Sequence, residues 1–206
     1  MNLTKKITLA LGLLTASTSF AQDKTSNGLL GQRFAEFNFS FIEIDSISKL
    51  SYEPGVRVNL PLIANSVDVG ATYDYARIRG PISGHANSLS TYAVGYMALE
   101  GVKPFLAASL SHSWSSMAFG LSDNSYSWGL TGGFEIPVGP LTLIPSLGYS
   151  DDFDNGFGDG DLWTYRVEAN YWLTPRNSVF AAIAKVDAHR NPINVWTYDV
   201  GVRFRF

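Results

Sequence analysis

The sequence predicts an all-β chain that closes into an antiparallel transmembrane β-barrel of ten strands. Three observations predict this fold. Apolar and polar residues alternate along the chain in ten runs, and the side chains of a β-strand alternate between two faces with this same period. Each run has at least the roughly 9–11 residues that a tilted strand needs to cross a bilayer. The connections between runs alternate between short turns and longer loops, as in barrels of this kind.

Composition narrows the possible classes of protein. Of the 206 residues, 46% are hydrophobic and 14% aromatic, but only 16% are charged. This chain is too apolar to be disordered and has fewer charges than an ordinary soluble domain. Its formal net charge of −3 and its lack of a basic cluster argue against a nucleic-acid partner. Cysteine is absent, which excludes a disulfide framework or a thiolate metal site.

Residues 1–21 are predicted to be a cleavable signal peptide. Lys5 and Lys6 precede the apolar run 7–14, and Ala21 ends a stretch of small residues suited to cleavage. The apolar run is too short to cross a bilayer as a helix. Residues 22–30 then form a short polar segment, and residues 31–206 form the barrel.

Turn-forming residues separate the ten predicted strands. The strands are residues 33–44, 50–62, 67–79, 88–99, 104–116, 125–136, 141–151, 162–173, 178–188 and 194–206. Short connections at 64–66, 100–103, 138–140 and 175–177 contain Asn, Gly or Pro and alternate with longer ones at 45–49, 80–87, 117–124, 152–161 and 189–193. Merging two weak runs would give eight strands, which is the alternative topology. Because Pro54, Pro104 and Pro145 each lack a donor for the sheet, bulges are expected there.

The volume of the aromatic side chains indicates which face of each strand points outward. The aromatic register includes Phe37, Tyr73, Tyr92, Tyr96, Trp114, Trp128 and Tyr165. So many rings do not fit inside a small barrel, so we expect this register to face lipid. The opposite register is small or polar and should line the lumen. Its glycines, such as Gly129, Gly133, Gly148 and Gly201, are expected to make room for long charged side chains.

The last strand carries a family resemblance. Its alternate residues are all apolar, namely Trp196, Tyr198, Val200, Val202, Phe204 and Phe206. This pattern resembles the terminal strand of Gram-negative outer-membrane β-barrels, which in that family is the membrane-insertion signal recognised by the barrel-assembly machinery. The barrel as a whole resembles the small OmpX, OmpW and opacity types of the porin-like superfamily.

This resemblance implies a place in the bacterial outer membrane, in contact with its lipid and lipopolysaccharide. It also implies a non-catalytic role in envelope structure or in adhesion-like surface interactions. A narrow channel for ions or small solutes is the alternative function.

Ten charged residues are predicted to form a network inside the lumen. They are Glu36, Glu53, Arg57, Asp74, Arg166, Glu168, Lys185, Asp187, Arg203 and Arg205. Antiparallel pairing around residues 176–177 places Arg166 near Asp187 and Glu168 near Lys185. Closure of the last strand on the first brings Arg203 and Arg205 toward Glu36, and Arg57 should reach Asp68 or Asp74. Because an unpaired buried ion is costly, we expect these charges to pair and to fill the narrow bore.

An acidic, glycine-rich segment at 152–161 is the only candidate metal site. Asp152, Asp154, Asp159 and Asp161 offer carboxylate oxygens, which suit Ca²⁺ or Mg²⁺. An EF-hand, however, needs an acid where Leu162 stands, so a solvated acidic loop remains the competing interpretation. No cofactor is expected.

The loops 80–87 and 152–161 are also the expected contact surface for an extracellular ligand.

A surface hydrolase is the second alternative function. The pairs Asp152/Asp154 and Asp187/His189 resemble the catalytic set of the omptins, which are ten-stranded outer-membrane proteases. The likeness covers two tripeptides, and the chain is shorter than an omptin. A lipid A-modifying Ser/His enzyme would use His112, but the adjacent serines belong to the opposite, inward register.

Deletion of Phe206 is the first test, since we expect the terminal aromatic register to be needed for membrane insertion. The deletion should strongly reduce the amount of heat-modifiable barrel in the outer membrane. Phe206→Tyr keeps an aromatic ring and serves as the control that inserts normally. Undiminished insertion of the deletion variant would contradict the expectation.

Overall fold

The computed structural model is a closed barrel of ten antiparallel β-strands. The structure describes residues 28–44, 47–78, 84–117, 122–153, 161–188 and 194–206. The strands are β1 (Phe34–Ile44), β2 (Ile47–Ile63), β3 (Val67–Ile78), β4 (Gly84–Tyr96), β5 (Lys103–Met117), β6 (Ser122–Val138), β7 (Leu141–Asp152), β8 (Leu162–Trp172), β9 (Asn177–Ala188) and β10 (Asn194–Arg205). The ten-strand prediction is confirmed and the eight-strand alternative is wrong. The predicted signal peptide lies outside the described residues.

Pairing between the first and last strands closes the sheet. β1 and β10 pair continuously from Phe34 opposite Arg205 to Ile44 opposite Val195. Closure leaves no strand edge, so the backbone groups are satisfied without water, as a bilayer core requires. None of the described residues forms a helix with the length and apolar character needed to cross a membrane.

The two ends of the barrel differ. The connections at one end contain Asn65, Gly101 and Gly139, each with a positive φ (60°, 76° and 61°), as tight turns require. We call this the turn end and the opposite one the loop end. Several strands extend further toward the loop end than predicted, since β2 begins at Ile47 and β4 at Gly84. Residues 84–87, predicted to belong to a ligand-contacting loop, are therefore part of β4.

The three prolines at which bulges were predicted leave the strand register unchanged. At Pro54 the pairing of β2 with β1 continues, and only the pairs with β3 between Tyr52 and Gly55 are missing. Pro145 likewise pairs with β8 while local pairs with β6 are missing, and Pro104 pairs with β6 without a shift. The prediction of bulges at these prolines is wrong. A proline removes a donor toward one neighbouring strand, which interrupts a ladder without inserting a residue.

The outward register is aromatic and aliphatic, as predicted, except at one part of the turn end. Phe37, Tyr126, Phe134 and Tyr165 are exposed on the outer wall. Tyr92 and Tyr96 were predicted to face lipid, but both are only 7% exposed and point into the lumen. Among the described residues, four further aromatic side chains are buried in the inward register, namely Phe34, Phe105, Trp172 and Phe180.

Glycines on neighbouring strands make room for three of these inward rings. Each ring lies opposite a glycine in the strand register: Tyr92 opposite Gly70, Phe105 opposite Gly133, and Phe180 opposite Gly201. A Cβ atom added at any of these glycines would lie 2.3–2.5 Å from the ring. Gly133 and Gly201 were expected to accommodate charged side chains, and instead accommodate aromatic ones. Packing of a ring over a glycine on the neighbouring strand helps to fix the register of a sheet.

Adjacent glycines of β6 allow a matched test of this packing. Gly133→Ala would place a methyl group 2.5 Å from the Phe105 ring and from the Pro145 carbonyl oxygen, and we expect a loss of about 1–3 kcal/mol of unfolding free energy from overpacking. At Gly132 the nearest atom to a new Cβ is 3.8 Å away, so Gly132→Ala should be nearly neutral. Urea unfolding in lipid or detergent compares the two variants. Equal stability would contradict the packing account.

Candidate functional site: the barrel lumen

An apolar cluster fills the lumen at the turn end. Inward side chains from four strands form most of it: Tyr92, Val94, Tyr96, Phe105, Ala107, Ile144 and Trp172. Leu29 and Leu30, which precede β1, complete the cluster and are almost fully buried. The sequence interpretation placed both leucines in a polar lead-in outside the barrel. The structure instead places them inside its mouth.

Hydrogen bonds hold this N-terminal plug, which we define as residues 28–32. The Glu135 carboxylate accepts the backbone N–H groups of Leu29 and Leu30, and Asp68 accepts that of Gly31 at 3.0 Å. Arg205 donates to the Gly28 carbonyl oxygen. Lys103 lies 3.4 Å from Glu135 and partly compensates its charge. The plug is thus attached to β3, β6 and β10 by polar contacts around an apolar centre.

Arg203 is the hub of the middle of the lumen. Its guanidinium has no exposed surface, and its Nε donates to Glu36 at 2.7 Å. Its Nη1 donates to Glu168 at 2.7 Å and to Asn170 at 2.9 Å. The Phe180 ring, which occupies the space above Gly201, packs 3.9 Å from the guanidinium carbon. Residues of four strands therefore meet at one buried cation.

Two more arginines extend this hub into a network. Arg57 lies 3.5 Å from the same Glu36 carboxylate. Arg166 pairs with Glu168 at 3.1 Å and also with Asp199. Sequence reasoning did not select Asp199, although its position in β10 has the inward parity of Arg203. We call the eight residues Glu36, Glu53, Arg57, Asp74, Arg166, Glu168, Asp199 and Arg203 the lumen charge cluster.

Three of the predicted network members lie elsewhere. Lys185 and Asp187 were predicted to face the lumen, but they lie on the outer wall, pair with each other at 2.7 Å and are 35% and 37% exposed. Arg166 pairs with Ala184 in the strand register, three residues from the predicted partner Asp187. An odd shift in register turns every side chain of a strand to the other face. Arg205 contacts the Trp172 ring and backbone carbonyls rather than Glu36.

Hydroxyl groups line the opposite wall of the lumen. Ser88, Ser90, Ser109, Ser111, Ser113, Ser115 and Ser127 are all buried there. Two pairs connect β4 and β5, Ser90 with Ser111 at 2.7 Å and Ser113 with Ser88 at 3.3 Å. At the level of these serines the wall is polar but uncharged, in contrast to the wall formed by β1, β2, β3, β8 and β10.

The acidic loop and the hydrolase pairs are only partly described. Asp154, Asp159 and His189 lie outside the described residues, while Asp152 is buried and Asp161 is half-buried. Within the described ranges, no group of three or more His, Cys, Asp or Glu residues is placed to hold a metal ion. His112 stacks on Tyr126 on the outer wall, with ring centroids 4.4 Å apart.

Comparison of the chain with protein families agrees with this architecture. A family model described as Gram-negative porin matches residues 10–191. The chain belongs to the Gram-negative porin family. It is a protein of the bacterial outer membrane. A search of curated proteins finds no match.

Solved structures of outer-membrane barrels resemble this porin-family chain. The translocator domain of the autotransporter NalP from Neisseria meningitidis has a TM-score of 0.54 at 9% identity, covering 99% of this chain and 95% of that one. Neisserial surface protein A has a TM-score of 0.48 at 16% identity, covering 84% and 97%. Ail, the attachment invasion locus protein of Yersinia pestis, has a TM-score of 0.41 at 14% identity, covering 85% and 97%. At these identities, the resemblance concerns the fold alone.

Substitution of Arg203 tests whether the hub stabilises the barrel. Arg203→Met leaves Glu36 and Glu168 without their main counter-charge, and breaking a buried pair in this way costs about 3–5 kcal/mol. Arg176→Met, on an exposed turn, is the control and should change stability by less than about 0.5 kcal/mol. Equilibrium unfolding in detergent measures both. Equal midpoints for the two variants would contradict a stabilising role of the cluster.

Proposed function

We propose that this protein is a closed barrel with an envelope-structural and surface-interaction role, and that it acts without catalysis. The observation that carries the proposal is the double obstruction of the lumen. The lumen charge cluster occupies its middle, and the N-terminal plug with the apolar cluster occupies its turn end. A barrel obstructed at two levels is suited to presenting its surface rather than to passing solutes.

The energetics of the obstruction support a closed resting state. Barrels of about eight strands are filled by side chains, whereas open aqueous pores appear at roughly 16–18 strands. Opening a path through the middle layer would separate Arg203 from Glu36 and Glu168, contacts of 2.7 Å each. Such charges are expensive to leave unpaired away from bulk water.

The outer wall supports contact with outer-membrane lipid and lipopolysaccharide. Exposed large apolar side chains cover it, including Leu106, Leu110 and Val167. Near the loop end, His112 and Tyr126 stack together, and Lys185, which is paired with Asp187, presents an ammonium group in the lipid-facing register. Aromatic and cationic groups at this height suit the headgroup region. An extracellular ligand would contact the loop end, and the barrel-assembly machinery would recognise β10 before insertion.

A narrow channel is the second candidate, and the N-terminal plug is the observation that favours it. The plug is not a strand, and side chains of Asn59, Asp68, Glu135 and Arg205, rather than a neighbouring strand, supply the hydrogen bonds that attach it. Its displacement would open the turn end beside the apolar cluster, beyond which serine hydroxyls line the β4–β5 wall. A porin-family barrel with a removable segment is compatible with gated passage of small polar solutes.

Planar-bilayer recordings on two variants distinguish these functions. We expect no stable conductance from the wild type, and none after deletion of residues 22–32, because the charge cluster still closes the middle. Steady, ion-selective current from the wild type would overturn the closed-barrel proposal. Current from the deletion variant alone would also overturn it and would favour the plug-gated channel.

Loop exchange tests the surface role. Replacing residues 153–161 with a short turn should reduce binding of the barrel to host-cell or envelope surfaces. Insertion and heat modifiability should stay unchanged, because the replaced residues lie between β7 and β8. Unaltered binding in the exchange variant would exclude this loop as the contact surface.

A further inference from the structure

The lumen charge cluster contains more carboxylates than its arginines neutralise. Its three guanidinium groups face five carboxylates, so its net charge is −2 when all groups are ionised. The ion pairs of Arg57, Arg166 and Arg203 involve Glu36, Glu168 and Asp199. Glu53 and Asp74, on the adjacent strands β2 and β3, are the two members outside these pairs.

One oxygen of each remaining carboxylate lacks a hydrogen-bond partner. Glu53 is 3% exposed and Asp74 is 2% exposed, yet Glu53 Oε2 and Asp74 Oδ2 have no partner among the described residues. Asp74 accepts a hydrogen bond from Asn38. The two side chains meet above Gly55, whose lack of a side chain leaves space for them. Buried polar atoms are nearly always satisfied, so two orphaned oxygens close together point to a missing partner.

A small cavity lies beside these carboxylates. Its volume is about 10 Å³, and Glu53, Asp74, Ser88 and Ser113 line it. A space of roughly this size holds a single water-sized particle. The two serines, which hydrogen-bond to each other at 3.3 Å, add hydroxyl oxygens from β4 and β5. Side-chain oxygen atoms from four strands thus line part of the cavity, and Ala76 and Ala86 line another part.

The chemistry of these oxygen atoms indicates which kind of ion the cavity would bind. Two buried carboxylates need compensation, and a divalent cation supplies it completely. Carboxylate and hydroxyl oxygens are hard ligands that suit Ca²⁺ or Mg²⁺. Mg²⁺ demands near-ideal octahedral geometry and usually keeps several of its waters, whereas Ca²⁺ accepts an irregular set of protein oxygens such as this one. We propose that Glu53 and Asp74 bind one calcium ion inside the lumen, next to the Ser88 and Ser113 hydroxyls.

Equilibrium dialysis with radioactive calcium tests the proposal on refolded, EDTA-treated full barrel. The wild type should bind one lumen ion per chain at neutral pH. Glu53→Gln and Asp74→Asn preserve side-chain shape, and each should weaken binding by more than the roughly 10–100-fold effect of losing an outer-shell partner. The matched control is Asp154→Asn with Asp159→Asn, which removes loop carboxylates and should leave the lumen ion bound.

Several outcomes would overturn the lumen site. One is a wild type that binds no calcium. Another is binding that disappears in the loop control but persists in Glu53→Gln and Asp74→Asn. If either lumen variant fails to fold, the test is the unfolding free energy of the wild type and of the loop control, each measured with and without calcium. Equal stabilisation of both by calcium supports the site, and no stabilisation of either overturns it. A carboxylic-acid C=O infrared band in calcium-saturated wild type that is absent from the double lumen variant would assign a shared proton instead.

Discussion

Backbone hydrogen bonding in a water-free medium is the constraint on which the rest of this structure depends. Strands that cross a bilayer must pair on both sides, so the sheet closes from β1 to β10. Closure divides every strand into a lipid-facing and a lumen-facing register. The outer wall meets the bilayer with apolar side chains, but ten strands enclose a space that must be filled by the inward side chains themselves.

The lumen is filled in two different ways along its axis. At the turn end, rings lie over glycines, as Phe105 does over Gly133, and Leu29 and Leu30 complete the packing. In the middle, charges replace apolar groups, with Arg203 linking Glu36 and Glu168. The first arrangement is stabilised by burial of apolar area. The second depends on charge compensation. The cluster has more carboxylates than arginines, so the charge of Glu53 and Asp74 needs a further counter-charge.

Strand number, closure and the general direction of the faces could be predicted from the sequence, because a period of two and the turn residues are local signals. The β8–β9 register could not be predicted, because it depends on how many residues the turn contains. The predicted register was wrong by an odd number of residues, so Lys185 and Asp187 were assigned to the wrong face. The inward positions of Tyr92 and Phe105 depend on glycines of neighbouring strands. Asp199, by contrast, shares the inward parity of Arg203, so parity alone would have found it.

The central claim is that the middle of the lumen is sealed around Arg203, and solvent exchange of its guanidinium protons tests this most directly. In NMR spectra of the barrel labelled with ¹⁵N-arginine, transferred to D₂O, the Arg203 Nε–H signal should persist long after that of Arg176, which lies on an exposed turn. Its hydrogen bond to Glu36 and its complete burial account for this protection. Loss of the Arg203 signal as fast as that of Arg176 would show that water passes through the lumen and would contradict the account.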